Sequence, residues 1–161
     1  MLFVCTGNAA RSVMAGAMFA ALAPQWQMTS AGTHCIEGQP VSWRTQESLA
    51  ALGYSARGHR SRQLRDADLL AADLVVGLAP EHVAYVRRFH PEAAPRTATL
   101  KRLSRDLVGG LSGLDDLGLA GVPLGAWEEV EDPAGGDIDI FHSCAAEVLT
   151  LTAELVTRLT A

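Results

Sequence analysis

The segment Cys5-Thr6-Gly7-Asn8-Ala9-Ala10-Arg11-Ser12 constrains this chain more than any other. It follows a short apolar run, Leu2 to Val4, and opens an Ala- and Met-rich stretch, Ser12 to Ala23, that reads as a helix stopped by Pro24. A buried strand that passes through a Gly-Asn turn into a helix leaves a row of backbone amides facing one point. The positive end of the helix faces the same point. Such a loop can curl around a tetrahedral anion. Arg11 returns to it as a planar fork able to grip two oxygens, which lysine cannot copy. The same field favours the thiolate form of Cys5, placing a nucleophile beneath the anion. Ser12 can donate its hydroxyl to that sulfur.

The rest of the chain reads as alternating strands and helices. Trp26 to Ser30 is a second strand closed by Ala31-Gly32, and Val41 to Leu52 a helix stopped by Gly53. Asp73 to Leu78 is a buried strand, Pro80 to about Phe89 a helix, and Arg96 to Leu100 a further strand. Residues 106 to 126 read as loop, with Gly109 to Gly125 crossing the surface. Phe141 to Leu159 is an amphipathic C-terminal helix with the apolar stripe Val148, Leu151, Leu155 and Leu159. The alternation implies an α/β fold with a parallel sheet. The length of 161 residues fits a single domain, 1–161.

The chemistry needs an acid for the departing oxygen and a base for water. Asp132-Pro133 is the best candidate, in a loop from Glu128 to Gly136 before the last helix. Glu128, Glu129 and Glu131 read as a solvated rim. Trp127, five residues before Asp132, is placed as a candidate lining residue of the crevice, and Trp26 and Trp43 as packing residues.

Bulk properties narrow the class. The net charge is −5, which argues against a nucleic-acid partner, though the run Arg57 to Arg65 is locally basic. Cys5, Cys35 and Cys144 form no CxxC pair and no zinc pattern, so a reducing, cytoplasmic setting is expected. The five histidines show no metal spacing, and no metal or cofactor is expected. No signal peptide and no membrane span are expected either.

Val4-Cys5-Thr6-Gly7-Asn8-Ala9-Ala10-Arg11-Ser12-Val13-Met14-Ala15, Thr29-Ser30-Ala31-Gly32-Thr33, Gly38-Gln39-Pro40, the strand Ala72 to Val76 and Asp132-Pro133 occur in order over nearly the whole chain. In this it resembles the low-molecular-weight protein tyrosine phosphatases. The resemblance implies a three-layer sandwich: a four-stranded parallel sheet with helices on both faces. It implies a metal-independent hydrolase that removes phosphate from protein residues, phosphotyrosine first, through a cysteinyl-phosphate. Cys5 would be the nucleophile, Arg11 the phosphate clamp and Asp132 the general acid and base. Thr6, Gly7, Asn8, Ala9, Ala10 and Ser12 would bind the phosphate, with Asn8, Ser12 and Ser30 supporting the loop. His34 would fall at the crevice rim. A phosphorylated protein or peptide is the expected partner, with inorganic phosphate competing.

Three departures bear on the substrate and on redox behaviour. Ala10 stands where many members carry a second cysteine that protects the first as a disulfide. Ala9 stands where Ile is common in tyrosine enzymes and Thr in arginine-phosphate enzymes. Ala134-Gly135-Gly136 replaces the aromatics that flank a substrate ring. Two other readings share the loop. A small-thiol-dependent arsenate reductase is one, although residues 36 to 143 contain no cysteine. A non-catalytic phosphate-binding module is the other.

Overall fold

The computed structural model describes residues 1–161. Four short strands, β1 (Leu2–Cys5), β2 (Thr29–Gly32), β3 (Val75–Gly77) and β4 (Thr97–Thr99), form one sheet in the order β2-β1-β3-β4, parallel throughout. The helices are α1 (Arg11–Leu22), α2 (Trp43–Ala51), α3 (Asp66–Leu70), α4 (Pro80–Phe89), α5 (Leu100–Asp106) and α6 (Ile138–Thr160). This is the expected three-layer α/β sandwich.

Because side chains alternate along a strand, β1 feeds two cores. Phe3 and Cys5 join one with Met14, Met18 and Phe19 of α1, Leu103 of α5, and Val148 and Leu155 of α6. Leu2 and Val4 join the other with Leu64, Leu69, Val75 and Val86. Each fully buried Leu or Phe contributes about 1.5–3 kcal/mol. Phe3 stacks at 5.5 Å on Phe19, which meets the edge of Trp26 at 6.4 Å. The centre of β1 is therefore held on both faces and both edges, and Cys5 sits at its exit.

Several boundaries differ from expectation. The second strand begins at Thr29 rather than Trp26, because its register pairs Leu2 with Thr29 and Cys5 with Gly32. Trp26 is left to pack on Phe19. Trp43 does not pack into the core: it is 61% exposed, with the Arg44 guanidinium over its ring at 4.9 Å. Helix α3 lies just beyond the basic run and is held by Asp68, which accepts from the amide of Arg65 and pairs with Arg62 at 2.8 Å. Helix α5 begins directly at the end of β4, with Thr99 capping the amide of Arg102. The segment expected to cross the surface as loop is instead turned at Gly110–Leu117 into 3-10 helix between positive-φ glycines.

Glu128 is not part of a solvated rim. Its carboxylate is fully buried and accepts from Thr99 Oγ1 at 2.6 Å, Arg102 Nη2 at 2.6 Å and the amide of Gly125 at 2.8 Å. Burial alone would raise its pKa. The hydrogen bonds from Arg102, Thr99 and Gly125 outweigh it and hold the carboxyl below the ordinary range.

Helix α6 is the one helix long and apolar enough, by length and composition, to cross a membrane. It packs Phe141, Cys144, Ala145, Val148, Leu155 and Leu159 into the main core.

Candidate active site

The turn from β1 into α1 is built so that its amides stay free. Ala10, at the N-cap, has no side chain to cap the helix, and no acidic residue occupies the first turn. The donors that usually meet a cap are left for a ligand. Asn8 carries the strain of the curl at φ 50°, the left-handed region that a short polar side chain tolerates.

Asn8 is also the loop's anchor. Its side-chain nitrogen donates to Ser12 Oγ and Ser30 Oγ, both at 3.0 Å. Its side-chain oxygen accepts from the amide of Arg62, and its carbonyl lies 3.0 Å from His59 Nε2. Ser12 therefore accepts from Asn8, which leaves the Ser12 proton free to point at Cys5 Sγ, 3.0 Å away. The next carbonyl, Ala9, accepts from Thr45 Oγ1 at 3.1 Å.

Arg11 is 2% exposed. Its Nη1 donates to the carbonyl of Val130 and its Nη2 to Asp132 Oδ2, both at 3.0 Å. The Asp132 side chain is 47% exposed, and its other oxygen accepts from the amide of Ala134. The Asp132 loop is tied to the sheet where the amide of Val130 donates to the carbonyl of Leu78 beyond β3. The fold thus brings Cys5, Arg11, Ser12 and Asp132 into one place, with a phosphate cradle between.

Backbone bonds from Thr33 to Cys5 and from His34 to Thr6 strap the segment after β2 to the loop. His34 is exposed beside Thr6 and meets the edge of Tyr85 at 5.5 Å. Trp127 is not drawn to the loop. Its ring lies over the guanidinium groups of Arg105 at 3.7 Å and Arg102 at 5.4 Å, because burial of Glu128 turns it toward α5.

Sequence spacing missed the second layer. Glu81, His82, His59 and Thr45 all hold the loop, yet each reaches its loop partner across at least 36 residues, and no local motif marks them. Thr6 Oγ1 donates to Glu81 at 3.3 Å and lies 3.0 Å from His82 Nε2. A hydroxyl has one proton, so His82 supplies the donor through Nε2–H. Its Nδ1 is left bare, and that atom is buried without a partner.

Burial, with the charge of Arg11, lowers the pKa of His82 to about 3. The unfolded histidine titrates near 6.5. As pH falls from about 6.5 toward 3, the unfolded chain takes up a proton that the folded chain refuses. The stabilisation is whole above pH 6.5 and is lost toward pH 3, by at most roughly 1.4 kcal/mol per pH unit. Urea unfolding at pH 7, 5.5 and 4.5 is expected to show this slope. His82→Gln, which keeps a donor for Thr6 but cannot titrate, is expected to flatten it by one proton. An unchanged slope would remove His82 from the account.

The other thiols are unlike Cys5 in setting. Burial pushes Cys144 up to about 12. Burial and the charge of Glu37 raise Cys35. All three cysteines are free.

A cysteine at the end of β1, an arginine fork at the start of α1 and a carboxylate on a facing loop are gathered at one edge of an α/β sheet, an arrangement able to receive a tetrahedral anion. The family model described as low molecular weight phosphotyrosine protein phosphatase matches residues 1–116. The protein-arginine-phosphatase of Geobacillus stearothermophilus is 31% identical over 99% of this chain and 95% of its own length. The low molecular weight protein-tyrosine-phosphatase of Streptomyces coelicolor is 36% identical over 88% of this chain and 82% of its own. A structure of YwlE arginine phosphatase, a variant with a phosphorylated active-site serine in place of cysteine, superposes with a TM-score of 0.81 at 26% identity. That match covers 99% of this chain and 94% of the other. The chain belongs to the low-molecular-weight protein tyrosine phosphatase family, and it is a phosphatase.

Proposed function

We propose that residues 1–161 act as one unit that hydrolyses phosphorylated protein residues, with Cys5 as nucleophile, Arg11 as phosphate clamp and Asp132 as acid and base. The observation that carries this is the double reach of Arg11: one buried guanidinium joins the loop of Cys5 to the loop of Asp132. A phosphate in the cradle meets the amides of residues 6 to 11 and the Arg11 fork. Cys5 Sγ attacks phosphorus as the bond to the leaving group breaks, and Asp132 gives the leaving atom its proton. Asp132 then takes a proton from water, which attacks phosphorus. The S–P bond breaks, and the thiolate returns to the Ser12 hydroxyl. No step calls on a metal.

Phosphotyrosine is the first substrate reading, supported by His34 and Tyr85, aromatic groups on the Thr6 side of the loop. Phosphoarginine is the second, favoured by the absence of aromatics after Asp132 and by the exposed carboxylates of Glu81, bonded to Thr6, and of Asp132, bonded to Arg11, both suited to a guanidinium. Comparing kcat/KM for matched phosphotyrosine and phosphoarginine peptides decides between them. The small-thiol-dependent reductase reading is not favoured, since the matching family model and the relatives are phosphatases. A reducing, cytoplasmic setting suits a nucleophilic thiol whose loop offers Ala10 in place of a second cysteine.

Asp132→Ala is expected to slow turnover of a phosphotyrosine peptide by about 10²-fold or more. The loss should be much smaller for para-nitrophenyl phosphate, whose leaving group needs little help. Equal losses on both substrates would count against Asp132 as the acid.

A further inference from the structure

The basic run is not used by the chemistry above, and the fold gives it a place. A cavity of about 370 Å³ lies along the flank of α1, floored by Gly16 and Ala17 and walled by Arg57, His59, Arg60 and Arg62. No carboxylate lines it, although the chain carries 18 acidic residues. Of the three arginines, only Arg62 has an acidic partner, Asp68. Arg60 meets just the carbonyl of its neighbour His59, and Arg57 forms no ion pair. Ser30, Ser55 and Thr29 add hydroxyls to the lining. A concave surface with cations on one rim, unneutralised in an acidic protein, is complementary to a compact polyanion.

The wall of this cavity is also the back of the phosphate loop. Ser30, His59 and the amide of Arg62 are three of the groups that hold Asn8. A ligand that draws Arg62 or His59 into the cavity pulls on the residue whose positive φ shapes the cradle. From this geometry we infer a second anion site, behind the catalytic loop, for a small molecule bearing two or three linked phosphates. Its occupancy is coupled to turnover through Asn8. The cavity has room for a triphosphate chain, and forked arginines suit its oxygens better than a lone point charge would.

Tripolyphosphate is the probe. Calorimetry with the Arg11→Ala protein, whose cradle has lost its clamp, is expected to show one molecule bound per chain. Adding Arg57→Gln and Arg60→Gln should weaken that binding by tenfold or more. These two side chains are exposed and outside the cradle, so the fold should survive. The second measurement uses the intact enzyme and needs no altered cradle. Tripolyphosphate is expected to change kcat for para-nitrophenyl phosphate several-fold, an effect that saturating substrate does not remove. In Arg57→Gln/Arg60→Gln, basal kcat should be unchanged and the effect reduced to simple competition. No binding to Arg11→Ala, binding indifferent to Arg57 and Arg60, or purely competitive kinetics in the intact enzyme would each overturn the second site.

Discussion

Cys5→Ser is expected to abolish hydrolysis of para-nitrophenyl phosphate near pH 6 without metal, leaving less than about 10⁻³ of the rate. The change is nearly isosteric, so the fold should persist: Cys5 is 3% exposed at the end of a strand paired on both edges. What is lost is chemical. A serine hydroxyl stays protonated beneath the cradle, and its neighbour Ser12 is a neutral hydroxyl, too weak a base to take the proton. Phosphate binding should survive, since the amides and Arg11 are untouched, and inorganic phosphate should still raise the melting temperature. Turnover by Cys5→Ser at a tenth of the normal rate or above would end the cysteinyl-phosphate scheme. Retained phosphate binding without turnover would support it.

Arg11→Lys is expected to lower kcat/KM by about 10²–10³-fold and to weaken inhibition by phosphate. Arginine spans two acceptors at once, the carbonyl of Val130 and Asp132 Oδ2, while holding its plane toward the cradle. An ammonium is a point donor and can keep one of these contacts, not the whole fork. An ammonium that stays on Asp132 leaves the carbonyl of Val130 short of a partner, which costs about 1–3 kcal/mol of stability. Steady-state kinetics with phosphate as inhibitor, beside a thermal melt, would separate the two losses. A kcat/KM within about threefold of wild type would show that charge alone suffices and that the planar grip is dispensable.

The loop at the heart of the candidate site was legible in the sequence because it is local. Cys5 to Ser12 is one turn between one strand and one helix, and its atoms need no distant contact to be recognised as an anion cradle. The expectation at Asp132 came from Pro133 and the final helix, and the structure puts its carboxylate on Arg11; the expectation at His34 came from the segment after β2, and its ring lies against Tyr85. Trp127 was misplaced because proximity in sequence says nothing about which way a 3-10 turn faces. Burying Glu128 against Arg102 turned the indole to the arginines of α5. The supporting layer was invisible for a related reason. His82 reaches Thr6 across 76 residues and His59 reaches Asn8 across 51. Neither carries a periodic or spaced signal, since a parallel sheet joins segments far apart in the chain. Strand ends were misjudged by one to three residues, because pairing register decides them: the third strand's paired residues run only from Val75 to Gly77.

The partners of Arg11 lie 119 and 121 residues further along the chain. During synthesis the cradle can be laid down as soon as β1 and α1 meet, but its arginine has nothing to hold until Val130 and Asp132 have been made. Closing so long a loop is among the slower events in folding, since its entropy must be met before its contacts form. A half-made chain on the ribosome therefore carries Cys5 and Arg11 without the loop that Arg11 will hold. The arrangement is completed late, when the last helix docks against the first.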